Sequence, residues 1–289
     1  MRILALTMIL TVLSLSFCAQ KEAPSPTPVV VTPTTPTTPT TPTTPTDTTK
    51  KLVWSDEFDK GSLPDTTKWA YNIGTGSNGW GNNESEYYTK DSTNARIENG
   101  NLIIEARKES RGGKNYTSAR LLTQGKASWT YGRLEIRAKL PRGIGSWPAI
   151  WMLGANIEGT GAVGWPTCGE IDIMEHTGRE LGAVSFSAHS KLLNWTLGTQ
   201  KTFKTNIDNV ADAFHVYSID WTKDMIKFYV DGVLYYNVPN DGRGVESYPF
   251  VAPQFLLLNL AVGGNFTGNT IDDNIFPIRM EVDYVRVYQ

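Results

Sequence analysis

Two cysteines in 289 residues, Cys18 and Cys168, leave nothing from which to build a disulfide framework. Cys18 falls at the end of a leader-like start, so a folded domain after it has one thiol and no partner for it. Stability has to come from a buried core. Charge of one sign is scarce as well: 27 Lys and Arg against 29 Asp and Glu give a formal net charge of −2, without the basic footprint that nucleic-acid binding needs. A neutral, polar partner fits better. After the first residues no apolar run approaches the roughly 20 residues with which a helix crosses a bilayer. No segment carries an apolar stripe at helical spacing over three turns.

What is there begins with a signal. Met1-Arg2 and the run Ile3-Leu4-Ala5-Leu6-Thr7-Met8-Ile9-Leu10-Thr11-Val12-Leu13 have the basic start and apolar length of an export sequence over 1–18. Leu15-Ser16-Phe17-Cys18 resembles the lipobox of bacterial lipoproteins, although Phe17 is bulkier than the small residue that pattern prefers. Lipidation of Cys18 would anchor the exported protein to a membrane at the bacterial cell surface or outer membrane; ordinary signal cleavage is the alternative. Residues 19–50 are a Pro/Thr-rich linker, with repeats such as Thr35-Pro36-Thr37-Thr38-Pro39. Such a tract forms no core and extends as polyproline at about 3.1 Å per residue.

Residues 51–289 suffice for one large all-β domain. Alternation with period two is clearest at 133–140, where Leu134, Ile136, Ala138 and Leu140 are apolar. Strands are also expected at 101–107, 214–221, 226–230, 233–236 and 280–288, from their β-branched and aromatic content. Asp231-Gly232 supplies a hairpin turn between two of them. Many short strands without helices between them predict two packed antiparallel sheets.

The most informative stretch is Cys168-Gly169-Glu170-Ile171-Asp172-Ile173-Met174-Glu175-His176, where three acids stand in an otherwise apolar strand. In a regular strand Glu170 and Asp172 share a face and Glu175 points the other way. One extra residue near Ile173-Met174, a β-bulge, puts all three on one cleft. Crowded there, the acids raise one another's proton affinity, which separates an ionised group from a protonated one. That is the pairing glycoside hydrolysis requires. A carboxylate metal site and acids on a solvated edge strand are the alternatives. His176 falls on the opposite face and reads as structural. Trp147-Pro148-Ala149-Ile150-Trp151 and Gly164-Trp165-Pro166 flank a glycine-rich loop just before the acids, and indoles beside acids suit the apolar faces of sugars. Trp147 and Trp165 are the better candidates for the cleft, and Trp151 is even between cleft and core.

With these residues in hand the sequence resembles glycoside hydrolase family 16, and within it the laminarinase-like endo-β-1,3-glucanases. The likeness runs through Trp54-Ser55-Asp56-Glu57-Phe58, Tyr116-Thr117-Ser118-Ala119-Arg120-Leu121, Tyr131-Gly132-Arg133, the acid strand, Asn259-Leu260-Ala261-Val262-Gly263-Gly264 and Val282-Asp283-Tyr284-Val285-Arg286-Val287-Tyr288. The resemblance implies a β-jelly-roll sandwich with a concave substrate cleft. It also implies Glu170 as nucleophile, Glu175 as acid/base, Asp172 as the acid beside the nucleophile, and Asn82, Arg120, Trp147, Trp165 and His189 as substrate contacts. Catalysis would need no cofactor. A structural calcium would be held by the carbonyls of Glu57 and Gly100 and the side chain of Asp283.

The implied activity is endo-acting, retaining hydrolysis of β-1,3-glucan of the laminarin type or of mixed-linkage β-glucan, by a monomer. The longer acid motif argues against lichenase-only specificity, because lichenases resemble Glu-x-Asp-x-Glu without the bulge. The tryptophan segments argue against a marine galactan. A non-catalytic glucan-binding protein is the rival from another class, and such relatives typically lose one catalytic acid. A transglycosylase would keep the same residues. Glu86 stands where relatives often have Gln, which bears on the negative subsites.

Overall fold

The computed structural model describes residues 50–268 and 270–289. The signal, Cys18 and the linker up to residue 49 lie outside the described residues.

Alternation becomes strands close to where the sequence puts them. Gly132–Lys139 buries Leu134, Ile136 and Ala138 completely and leaves Glu135, Arg137 and Lys139 on the wetter side. Met225–Val230 and Val233–Pro239 are joined through Asp231 and Gly232, at φ 50° and 78°, the left-handed pair that a two-residue hairpin demands. Among the described residues helical structure is limited to turns of three to five residues.

The strands form two large antiparallel sheets in a jelly-roll sandwich. One runs in the order Val233–Pro239, Met225–Val230, His215–Trp221, Gly132–Lys139, Ile278–Tyr288, Asn101–Ala106, Ala95–Glu98, with Leu52–Asp56 also paired to Ile278–Tyr288. The other runs Lys201–Asn206, Ala183–His189, Glu170–His176, Ser146–Gly154, Gln254–Val262, Arg120–Leu122, Ala70–Asn72. Their inner faces meet in one core, where Ile136, Phe228 and Val282 from the first join Ile150, Phe186 and Leu258 from the second. The motif around Trp54 serves this scaffold: Trp69 donates its indole N–H to Asp56 Oδ2 at 2.8 Å and packs on Phe58 and Trp54.

The acid strand contains the expected bulge. Against Ser146–Gly154, Asp172 faces Trp151 and Met174 faces Ile150; against Ala183–His189, Asp172 faces Ser187 and Glu175 faces Ser185. One residue more stands on this strand than on either partner. Ile173 and Met174 both turn into the core and are fully buried, as is Ile171. Alternation then resumes with Glu175 outward and His176 inward, where His176 Nδ1 meets the Ala183 carbonyl at 2.7 Å. His176 is structural, as its register predicts.

Because the bulge sends Met174 inward, Met174→Ala should cost about 2–5 kcal/mol of stability in urea unfolding, the usual loss on truncating a core side chain. A regular strand would leave Met174 facing the cleft, and the loss would then be under about 1 kcal/mol.

Candidate active site

The outer face of the seven-stranded sheet carries a cavity of ≈ 460 Å³ lined by Glu170, Asp172 and Glu175. It crosses six of the seven strands, taking Thr202, His189, the acids, Trp151, Asn259 and Arg120 in turn. The acids lie in the middle. All five residues expected to contact substrate, Asn82, Arg120, Trp147, Trp165 and His189, line it.

Trp147 serves Glu175, and His189 lies beside the other two acids. Trp147 donates its indole N–H to Glu175 Oε1 at 3.1 Å and packs against Phe266. His189 Nε2 lies 3.1 Å from Asp172 Oδ2 and 3.7 Å from Glu170 Oε1. The first contact is close but not aligned as a hydrogen bond, so Asp172 Oδ2 is buried without one. Burial is the first cause that raises the proton affinity of all three carboxyls, each to about 8. The Asp172 charge is the next cause for both Glu170 and Glu175, and His189 opposes it for both. Three acids so placed do not all ionise together near neutrality.

The far end is built around Arg120. Its guanidinium lies between two indoles, 4.6 Å from the Trp80 ring and 4.7 Å from the Trp151 ring, a cation–π arrangement that holds the charge in place. Trp151 is fixed in turn by donating to Asn259 Oδ1 at 2.7 Å, and Asn259 donates to the Tyr88 hydroxyl at 3.1 Å. Trp80 sits in a turn, Gly79–Asn83, with φ of 57° at Gly79 and 54° at Trp80. A Cβ on Gly79 would come within 2.4 Å of the Glu84 nitrogen, so only glycine fits there.

Comparison with known proteins agrees with this geometry. The family model "Glycosyl hydrolases family 16" matches residues 82–286. The chain belongs to glycosyl hydrolase family 16. The beta-glucanase of Rhodothermus marinus is 49% identical over 246 residues, covering 83% of this chain and 85% of that protein. The structure of the laminarinase from Rhodothermus marinus superposes with a TM-score of 0.79 at 48% identity, covering 83% of this chain and 97% of that one. SCLam, a non-specific endo-beta-1,3(4)-glucanase of the same family, gives a TM-score of 0.78 at 45% identity, with 85% and 92% covered.

Within this family 16 chain several cleft residues escaped the sequence reading. Trp151, left even between cleft and core, lines the cavity, and Trp80, Trp195, Asn259, Ser187 and Phe266 join it without having been singled out. Only Asn259 lay in a quoted motif; Trp80, Trp195 and Phe266 arrive on turns whose course no local pattern encodes. Glu86 is not in the cleft. It is fully buried behind it, accepting the Val262 N–H at 2.7 Å, and burial first, then the Glu84 charge, pushes its proton affinity well above the usual carboxylate range. A protonated carboxyl presents one acceptor and one donor, much as a glutamine amide presents both kinds of group.

Two oxygen-rich places bear on metals. Ligand atoms of Glu170, Asp172 and His189 lie within 4.8 Å of one another, close enough for a cation. The expected calcium ligands are elsewhere. Asp56 faces Val285 and Leu102 faces Val282, so Glu57 and Gly100 approach Ile278–Tyr288 near Asp283, itself an extra residue where the register shifts. Arg137 donates to Asp283 Oδ2 at 2.5 Å, and the Glu57 carboxylate is held by Arg286 at 2.7 and 3.0 Å. The Glu57 and Gly100 carbonyls receive no hydrogen bond among the described residues. Two free carbonyls and one partly engaged carboxylate suit a hard cation.

The raised acids weaken the fold in a defined pH window. From the ordinary value of 4.5 up to about 8, Glu170 binds more protons folded than unfolded, so stability falls as pH rises through that range. Glu170→Gln should therefore melt above the wild type near pH 8, with the difference closing as pH falls toward 4.5. Equal melting temperatures across the range would show that Glu170 is not perturbed.

Proposed function

We propose that this chain is an endo-acting, retaining hydrolase of β-1,3-glucan that also accepts mixed-linkage β-glucan. The observation that carries the reading is the bulged strand, with its three carboxyls at the middle of a cleft that extends past them in both directions. A site in mid-chain suits internal cleavage of a polymer. The relatives support the substrate class, since their names specify laminarinase, beta-glucanase and endo-beta-1,3(4)-glucanase.

Glu170 attacks the anomeric carbon while Glu175 gives its proton to the departing glycosidic oxygen. Glu175, then ionised, takes a proton from the water that releases the bound sugar with retained configuration. Burial first, and then the neighbouring Asp172, raises the proton affinity of Glu175, which suits it to carry the proton it gives, and the Trp147 N–H fixes the orientation of that carboxyl. Trp165 offers an apolar face to a sugar ring, while Asn82, Arg120 and His189 supply hydrogen-bond donors. These steps use side chains alone.

Glu175→Ala should still form the glycosyl-enzyme from a substrate with a dinitrophenolate leaving group, which departs without protonation. Added azide should then restore turnover and give the β-glycosyl azide. Glu170→Ala, without a nucleophile, should give the α-azide by one inversion. Proton NMR of the anomeric region reads both products, and the opposite configurations would reverse the two roles.

A structural calcium at Glu57, Gly100 and Asp283 belongs to the same proposal. Chelation should lower the melting temperature of the wild type and leave Asp283→Ala unaffected. Identical wild-type melting curves with and without chelator would remove the ion from the account.

A further inference from the structure

We infer that Trp195 forms, with Trp165, a stacking platform at the His189 end of the cleft that seats a further glucosyl ring and makes cleavage depend on chain length. The inference rests on the reading of the cleft as a β-glucan site and goes beyond the residues that reading uses.

Trp195 is the indole the cleft leaves most open. It lines the cavity at 44% exposure, whereas Trp147 is 8% exposed and tied to Glu175. A sugar ring stacked on that surface would take it out of water, a favourable exchange. The exposure does not come from a loose loop. The turn Trp195–Leu197 is capped by Asn194, which is itself buried; its Oδ1 accepts from the Thr196 N–H at 3.1 Å and hydroxyl at 2.6 Å. Its Nδ2 donates to the Ser190 carbonyl at 3.0 Å and the Lys191 carbonyl at 3.2 Å. The ring is presented on a fixed support, which lowers the ordering cost of binding.

Its neighbours complete a sugar site. The Trp195 and Trp165 rings stand 6.3 Å apart and tilted by 37°, and Trp165 stands 6.3 Å from His189. The rings therefore run from His189 through Trp165 to Trp195 and turn as they go, a path that successive sugar rings can follow. Gln200 and Thr202 line the same end with polar groups for sugar hydroxyls. The Trp165 Nε1 is buried with no hydrogen-bond partner, a donor still to be satisfied.

The test is steady-state kinetics of the wild type, Trp195→Ala and Trp195→Phe on β-1,3-linked glucose oligosaccharides of increasing length and on laminarin, with melting curves to confirm folding. Trp195→Ala should raise KM roughly fivefold to tenfold on the longest chains, the scale of one lost aromatic contact, with kcat nearly unchanged and the effect shrinking as the chain shortens. Trp195→Phe should recover most of the loss. An effect independent of chain length, or none, in an enzyme whose wild type cleaves these chains overturns the platform alone. A wild type inert on every β-1,3 chain overturns the substrate reading and the platform with it.

Discussion

Carboxyl groups on the outer face of a sandwich sheet bring a conflict: the strand that carries them must bury hydrocarbon on one side while it crowds negative charge on the other. Strict alternation cannot place Glu170, Asp172 and Glu175 together, because Glu175 falls out of phase. The bulge resolves this by spending two consecutive residues, Ile173 and Met174, on the core. Much else follows from that local shift. Trp147 can reach Glu175, and His189 on the next strand can lie against both Asp172 and Glu170. The cost is a set of acids whose ionisation opposes burial, and the large core shared by both sheets offsets it.

This much was legible in the chain itself. Two adjacent apolar residues between acids can only be reconciled with a single cleft by an extra residue, and the register agrees. The two-sheet architecture followed from period-two patterning in strands such as Gly132–Lys139, which keep one face wet. What was not legible came from contacts between distant segments. Arg120 lies between Trp80 and Trp151 because a left-handed turn delivers one indole and Ser146–Gly154, the next strand but one in the sheet, the other. Trp195 is presented by a buried asparagine cap, which looks in sequence like any polar loop residue. Glu86 in place of Gln bore on the negative subsites in sequence, yet it sits behind the cleft, where burial raises its proton affinity.

The strand Lys201–Asn206 closes one margin of the seven-stranded sheet and also contributes Thr202 to the cleft. An unpaired margin is a template for another chain, and proteins often hide it under a loop or helix. Here a full cover would also wall off the end of the groove, which a polymer must enter and leave. The strand instead stays almost wholly in water, and Lys201 and Lys204 stand on either side of the half-exposed Phe203. Lys201, and Lys204 paired with Glu180, put on this short strand charge that edge-to-edge association must desolvate. Solubility is thereby guarded by charge rather than by cover.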